Sequence, residues 1–543
     1  MSFRKNPAQQ LTMCDSVFGV WGLTERERRA LEGSWAQVFA DTVFPAIDES
    51  RFEVLYGGRA SRPSTPVNVV VGALIIKELF GYSDDELVEG LMFDVRLQWA
   101  LHTTSFGEQP LSDKTLSRFR RRCYEHELAT GEDLWRDCVR DLAAKAAEMM
   151  GIDGRVRRMD SMMVDANIRE LSRSELMYEC LARACRRAGA DGIALPDGLS
   201  RYLDRSDFNR TFGRHRGGRG TLDEKFARIM ADAGLLAEAC GGALAGTEEW
   251  GSLCRCMWEQ TLVEGGTRRL RAKADGMRGS RMLNSPTDPE ATFRTKAGVD
   301  HVGYVANLEE SCGEAGTVVT NYGYDVNVHS DSAFLREFVD DAGPAAGDGA
   351  LLVTDGGYDG GNNVAYAAGR GVELVTTDMI GREPKACLAD FEWSDDGREL
   401  LSCAAGHAPE KCYYTESTGQ CKVSFDLSCC EGCPHRAECG PRRGKGGRAT
   451  FTTSANATRR SRHRRRMESA GFEAYRRLRN GAETVPSIIR RNYRLDLLPP
   501  GRVAGKLFFG AKVAALNFRK LLGFRRGRPR RRPVNPLVEA AYA

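Results

Sequence analysis

Apolar and polar residues alternate in two rhythms along the chain. Up to about residue 150 the apolar positions recur at helical spacing. TERERRALEGSWAQVFADTV opens with Thr24 and Glu27 as a capping box and sets Trp35, Phe39 and Val43 on one face. TPVNVVVGALIIKELFG has Thr65 as N-cap and Pro66 at the first helical position. Gly81 separates that helix from the next, which opens on a second capping box, Ser83 with Glu86. LSDKTLSRFRRRCYEHEL, capped by Ser112, turns Leu116 and Phe119 inward and leaves Lys114, Arg118, Arg121 and Arg122 outside.

The rhythm then changes. GRVRRMDSMMVDANI predicts a strand or hairpin over 154–168 with Asp160 near its centre. Residues 169–285 return to helix. Strands follow at 301–308 and 315–324, then a helix in SDSAFLREFVDDAG. GALLVTDGGYDGG is a buried strand that runs into a Gly-rich turn at Asp355, and GVELVTTDMIG is another strand. This succession predicts an α/β fold with a sheet of mixed strand directions. Further on, YRRLRNGAETVPSIIRR spaces Tyr475, Arg479 and Glu483 by four, with Arg490 seven residues later. On one helix all four share a face. Taken alone, Glu483 reads as a surface acid paired with the arginine one turn before it.

Composition narrows the class. The chain has 543 residues, 42% of them hydrophobic, enough for two to four domains with real cores. No run of eighteen apolar residues predicts a membrane span, and the first residues lack an apolar export region. A cytoplasmic, nucleoid-associated placement is expected. The 17 cysteines are an odd number, which suits thiols or metal ligands better than a disulfide framework. The net charge of +4 conceals two arginine-rich runs, RRSRHRRR at 459–466 and RKLLGFRRGRPRRR at 519–532. Such runs read either as solvated tails or as surfaces for a nucleic-acid backbone. The basic face around Arg118 carries the same two readings.

Seven cysteines lie between Cys403 and Cys439. Cys430 and Cys433 form a C-x2-C pair, and Cys439 and Cys403 supply two more thiolates for a structural Zn²⁺. Cys412, Cys421, Cys429, His407 and His435 are spare donors. A metal-free or redox-active segment is the alternative.

Asp160 on a strand, Asp355 at a strand end and Glu483 on a helix could converge across one sheet. Three carboxylates around open positions suit Mg²⁺, and a two-ion site suits phosphoryl transfer. Asp165 and Asp359 compete for the first two places.

With these motifs in view, the chain from about 50 to 525 resembles bacterial insertion-sequence transposases of the DDE type, which have an RNase H-like core. MDSMMVDANI is similar to the first-Asp strand, VTDGGYDGGNN to the second-Asp motif, and YRRLRNGAETVPSIIRR to the Tyr–Arg–Glu–Lys signature. Some members of that group also carry a cysteine-bearing insert before the last acid. The resemblance implies a catalytic triad of Asp160, Asp355 and Glu483 holding two Mg²⁺ ions, with Mn²⁺ able to substitute. It makes Tyr475, Arg479 and Arg490 groups that contact DNA phosphate or orient Glu483. Arg490 departs from the family's usual lysine. The implied partners are double-stranded DNA, at the element ends and the target, and a second copy of the chain or more. A related nuclease and an inactive DNA-binding derivative are the rival functions.

The expected organisation is a helical DNA-binding domain at 1–150 and a first core strand at 151–168. A helical insert at 169–285 precedes an RNase H-like core at 286–400. A cysteine-rich insert at 401–445, the rest of the catalytic core at 446–525 and a basic tail at 526–543 complete it.

Overall fold

The computed structural model describes residues 3, 23–57, 64–103, 111–212, 222–276, 279–296, 298–342, 349–528 and 533–543. A mixed sheet lies at its centre, with helices on both faces. Its strands are β1 (Val156–Asp165), β2 (Val299–Gly313), β3 (Gly316–Val326), β4 (Ala350–Thr354) and β5 (Val372–Thr376). Their spatial order is β3-β2-β1-β4-β5. β2 runs antiparallel to β3 and to β1, while β1, β4 and β5 run parallel. A short strand, Thr292–Lys296, extends the edge beside the start of β2.

β1 is buried on both faces, which is why its apolar residues do not alternate. Met159 and Met163 pack against Phe334, Phe338, Leu352 and Tyr358 on one side. Met162 and Val164 join a larger core on the other.

That larger core is shared. It contains Phe39, Phe44 and Phe119 from the N-terminal helices, Trp135, and Tyr304, Tyr322 and Tyr324 from the hairpin β2–β3. Two of these N-terminal helices are α1 (Asp113–Thr130) and α2 (Leu134–Met149). The helices α3 (Ala455–Met467), α4 (Glu473–Ala482), α5 (Thr484–Asn492) and α6 (Arg502–Arg525) come late in the chain. α6 runs through the shared core: Phe518 meets the Phe39 ring at 5.1 Å and Phe509 meets Tyr324 at 5.8 Å. A buried ion pair between Lys512 and Glu78, 2.6 Å, ties α6 to the N-terminal layer. Gly510 lets α6 approach the sheet, because a Cβ there would overlap the Tyr322 hydroxyl.

The insert has its own core, built from Tyr178, Leu181, Leu236 and Leu253 on helices Arg173–Ala190, Leu222–Leu244 and Glu248–Gln260. It also holds a hairpin, Thr261–Glu264 with Thr267–Leu270, where helix was expected. Gly265 and Gly266, both at positive φ, make its turn. The cysteine-rich unit is a four-stranded sheet over Leu388, Phe391, Val423 and Phe425. It reaches back to Ala386 and on to Thr453, beyond the expected 401–445.

Several local expectations are corrected. The N-terminal helix breaks at Gly33 and restarts from a Ser34 cap. The next helix begins at Val67 with Pro66, not Thr65, at the cap. The run at 459–466 is not a solvated tail. It forms α3, and its arginines have partners within the chain: Arg459 on Asp359, Arg460 on the Ile380 carbonyl, and Arg462 on the Ala389 and Phe391 carbonyls. Arg464, Arg465 and Arg466 pair with Glu383, Asp390 and Glu373. The second run begins inside α6, where Arg519 stacks on Tyr493; residues 529–532 lie outside the described residues. The end of the chain is a docked helix, Pro536–Tyr542. Its Val538 is buried, and the Tyr542 hydroxyl accepts from the Asp153 N–H at 3.0 Å.

Candidate active site

Parallel pairing of β1 with β4 sets two carboxylates at neighbouring positions on the sheet. Asp160 projects from β1, opposite Leu308 of β2. Asp355 follows the last residue of β4 and caps a short 3-10 turn, its Oδ1 accepting from the Gly357 N–H at 2.8 Å. That bond turns the other oxygen, Oδ2, toward Arg479, 3.5 Å away.

The helix carrying Glu483 is not one continuous rod. Pro486 has no N–H to give the Ala482 carbonyl, and the run divides at Glu483 into α4 and α5. Glu483 therefore stands at a break, with its side chain 65% exposed. Arg479 lies one turn back, its side chain only 12% exposed, and pairs with Glu483, Asp160 and Asp355. One guanidinium thus gathers all three carboxylates. Among the described residues, no three or more His, Cys, Asp or Glu side chains stand together as a preformed metal cage. The cation between the three acids is Arg479.

The electrostatics follow from burial. Desolvation pushes Asp160 up to about 6 from an ordinary 3.8; Arg479 opposes the rise and Asp355 adds to it. Burial works against the Arg479 charge, but Asp160 and Asp355 outweigh it and raise its pKa.

The competing acids are spoken for. Asp165 sits at the exposed end of β1, paired with His301 at 2.9 Å. Asp359 is held by Arg459 and Arg460. Arg490, on α5, donates to the Met163 carbonyl at 3.1 Å. The Tyr475 ring stacks on Phe472 at 5.2 Å, and its hydroxyl accepts from Arg466 at 2.7 Å.

Two basic residues beside the acids gave no sequence signal. Lys296 sits at the sheet's edge with its Nζ 3.4 Å from Ser161 Oγ, and its charge acts on Asp160. Arg158, two residues before Asp160, binds Glu310 at 2.7 Å and donates to the Leu478 carbonyl of α4 at 3.2 Å. It thereby fixes the helix that carries Arg479. Gly481 leaves room for its guanidinium, which a Cβ would overlap.

On α1, Lys114, Arg118 and Arg121 are exposed, as the spacing predicts. Arg121 faces Glu125 at 3.5 Å, and Arg122 lies over the Tyr56 ring at 4.6 Å. Arg120, in the same run, is buried and paired with Asp84.

In the cysteine-rich unit, Cys403, Cys430, Cys433 and Cys439 line one cavity of about 30 Å³, with Cys429, His407 and His435. Cys387, outside the predicted set, hydrogen-bonds Cys439; that bond holds the proton on Cys387 and lowers Cys439.

Residues 30–122 match the family model of a transposase domain (DUF772), and residues 402–522 match that of a transposase DDE domain. Both matches support a transposase. The first runs from the end of the helix Glu25–Glu32 through the basic part of α1 and stops before α2. The second spans most of the cysteine-rich unit, Arg479, Glu483 and nearly all of α6. Asp160 and Asp355 lie outside both. No curated protein and no solved structure matches the chain. No helix among the described residues is long and apolar enough to cross a membrane.

Proposed function

We propose that the chain is a DDE transposase that binds the terminal inverted repeats of a mobile element, cuts DNA there and joins the freed end to target DNA. The observation that carries this reading is the meeting of Asp160, Asp355 and Glu483 on one cationic centre. The strand order β3-β2-β1-β4-β5, with the first acid on the central strand and the second beyond its parallel neighbour, supports an RNase H-like core. The matches at 30–122 and 402–522 support the class.

In this reading Asp160, Asp355 and Glu483 hold two Mg²⁺ ions, which Mn²⁺ can replace. The carboxylates already converge on a positive charge, so the donor set fits. Bound there, the ions supply the charge that activates an attacking oxygen and steadies the leaving one. The chain's own residues do the rest. Gly357 orients Asp355, and Arg158 fixes α4 so that Arg479 and Glu483 face β1. Arg490, at the Met163 carbonyl, and Lys296, beside Ser161, are the further cations for DNA phosphate. Lys114, Arg118, Arg121 and Arg122 contact the terminal repeat through α1. Two ends must be brought together, so the working form is at least a dimer. A structural Zn²⁺ in the cysteine-lined cavity would take Cys403, Cys430, Cys433 and Cys439, which line it without standing together as a preformed cage.

The test uses a labelled duplex carrying the element end. Wild type cuts it in Mg²⁺ and joins a precut end to a second duplex. Asp160→Asn and Glu483→Gln bind the end but do neither. Cutting that survives in both variants sinks the triad, and cutting without joining assigns a nuclease instead.

A further inference from the structure

Arg479 stands where the proposed metal ions would stand. We propose that Arg479 is a place-holding cation: it neutralises the three acids in the metal-free protein and leaves them when the metals enter, freeing its guanidinium for DNA phosphate. This rests on the triad reading above.

Three observations carry it. First, the guanidinium takes all three carboxylates at once: Asp160 at 3.4 Å, Asp355 at 3.5 Å, and Glu483 in direct contact. A divalent ion cannot share those oxygens with a guanidinium among them, because the two cations repel and compete for the same lone pairs. Second, the acids need a counter-charge. Asp160 is buried, and a second carboxylate lies beside it. Without Arg479 they would be uncompensated charge in a desolvated place. Third, the arginine's ion pairs are with the acids themselves. Its Nε is buried without a hydrogen-bond partner, so no further hydrogen bond at that atom has to break when the guanidinium leaves the acids. Glu483 is 65% exposed at the break between α4 and α5, which leaves the site open on that side. Lysine could not substitute, since a point ammonium does not fork to three acids.

The geometry also orders events. Metal entry and release of Arg479 are the same step, so the phosphate-binding guanidinium becomes available only in metal-loaded protein. DNA and metal then bind with positive coupling.

The test is Mn²⁺ binding to full-length protein at about pH 8, above the carboxylate range. It is read from the loss of the free ion's paramagnetic resonance signal. Arg479→Gln and Arg479→Ala are expected to bind Mn²⁺ roughly tenfold or more tightly than wild type, because a unit charge within hydrogen-bond range is gone. Their metal-free melting temperatures fall below wild type, and the gap closes at saturating Mn²⁺. Arg479→Lys, the variant most able to keep the fold, is expected between them and wild type. Equal or weaker Mn²⁺ binding in these variants, with wild type binding normally, overturns the place-holder and leaves the triad standing. No Mn²⁺ binding by any form, or binding unchanged in Asp355→Asn, overturns the triad and this inference with it.

Discussion

Arg479 and Asp160 are 319 residues apart in the chain, yet Arg479 Nη2 lies 3.4 Å from Asp160 Oδ1. The contact closes the sheet's central strand against a helix made long after it, and it sets the charge balance of the site.

Asp160 makes the metal-free protein pH-sensitive. Its folded pKa of about 6 stands above the ordinary 3.8, so the folded form binds its proton more tightly than the unfolded chain does. Its contribution is fully present below about pH 4 and is lost as pH rises through about 6. Asp160→Asn is therefore expected to flatten the stability profile between those values and to gain about 1–3 kcal/mol near neutrality. Urea unfolding across that range, in chelator, checks it. A wild-type profile parallel to the variant's contradicts the assignment.

Glu310 titrates with the opposite sign. Burial alone would raise it, but Arg158 and Lys520 outweigh burial and hold it down at about 2, against an ordinary 4.5. Its stabilisation is present above about pH 4.5 and is lost as pH falls toward 2. Glu310→Gln leaves Arg158 buried without its charge partner and is expected to cost about 3–5 kcal/mol at neutral pH. Activity should fall as well, since Arg158 also holds α4. Chemical denaturation and a cleavage assay read the two effects separately.

Gly510→Ala tests the seat of α6. The added methyl meets Tyr322 and the Trp135 indole, and is expected to cost about 1–3 kcal/mol by overpacking. Tyr322→Phe in the same chain should restore part of that loss. Melting temperatures of the single and double variants decide it.

The two arginine-bearing helices should part company in binding. Lys114→Ala with Arg118→Ala on α1 is expected to weaken end binding and to reduce the log–log salt slope by about 2. Arg462→Ala on α3 should lower the melting temperature and leave the slope unchanged, because its guanidinium is spent on the Ala389 and Phe391 carbonyls. Filter-binding at several salt concentrations distinguishes them.

Zinc is the remaining check. Thiol-reduced protein is expected to carry about one zinc per chain, and stripping it should lower the melting temperature of the unit around Phe425. Cys433→Ser should do the same. A ratio near zero removes the metal from the cysteine cavity.

What could be read before the fold was known follows from what each signal encodes. Asp160 and Asp355 could be placed because apolar runs flank them and a strand end is written in local sequence. The capping boxes at Thr24 and Ser83 could be placed for the same reason. The arginines of α3 could not, since a charge run does not name its partners, and Asp359, Asp390 and Glu373 come from distant segments. Lys296 was silent because its neighbour is Ser161, across strands. The kink at Glu483 was written in Pro486, but the spacing of four masked it. Cys387 was missed because it precedes the cysteine cluster and meets it only in the fold, at Cys439 and at Glu438.

The position of α6 has a consequence for how the protein is made. The helix that fills the space between Phe39, Trp135 and Tyr322 is synthesised after the five hundred residues it organises. A chain halted before Arg502 leaves those aromatic side chains without their cover, even though it already carries both strand acids and Glu483. A chain interrupted there therefore exposes apolar surface of the shared core that the finished protein buries.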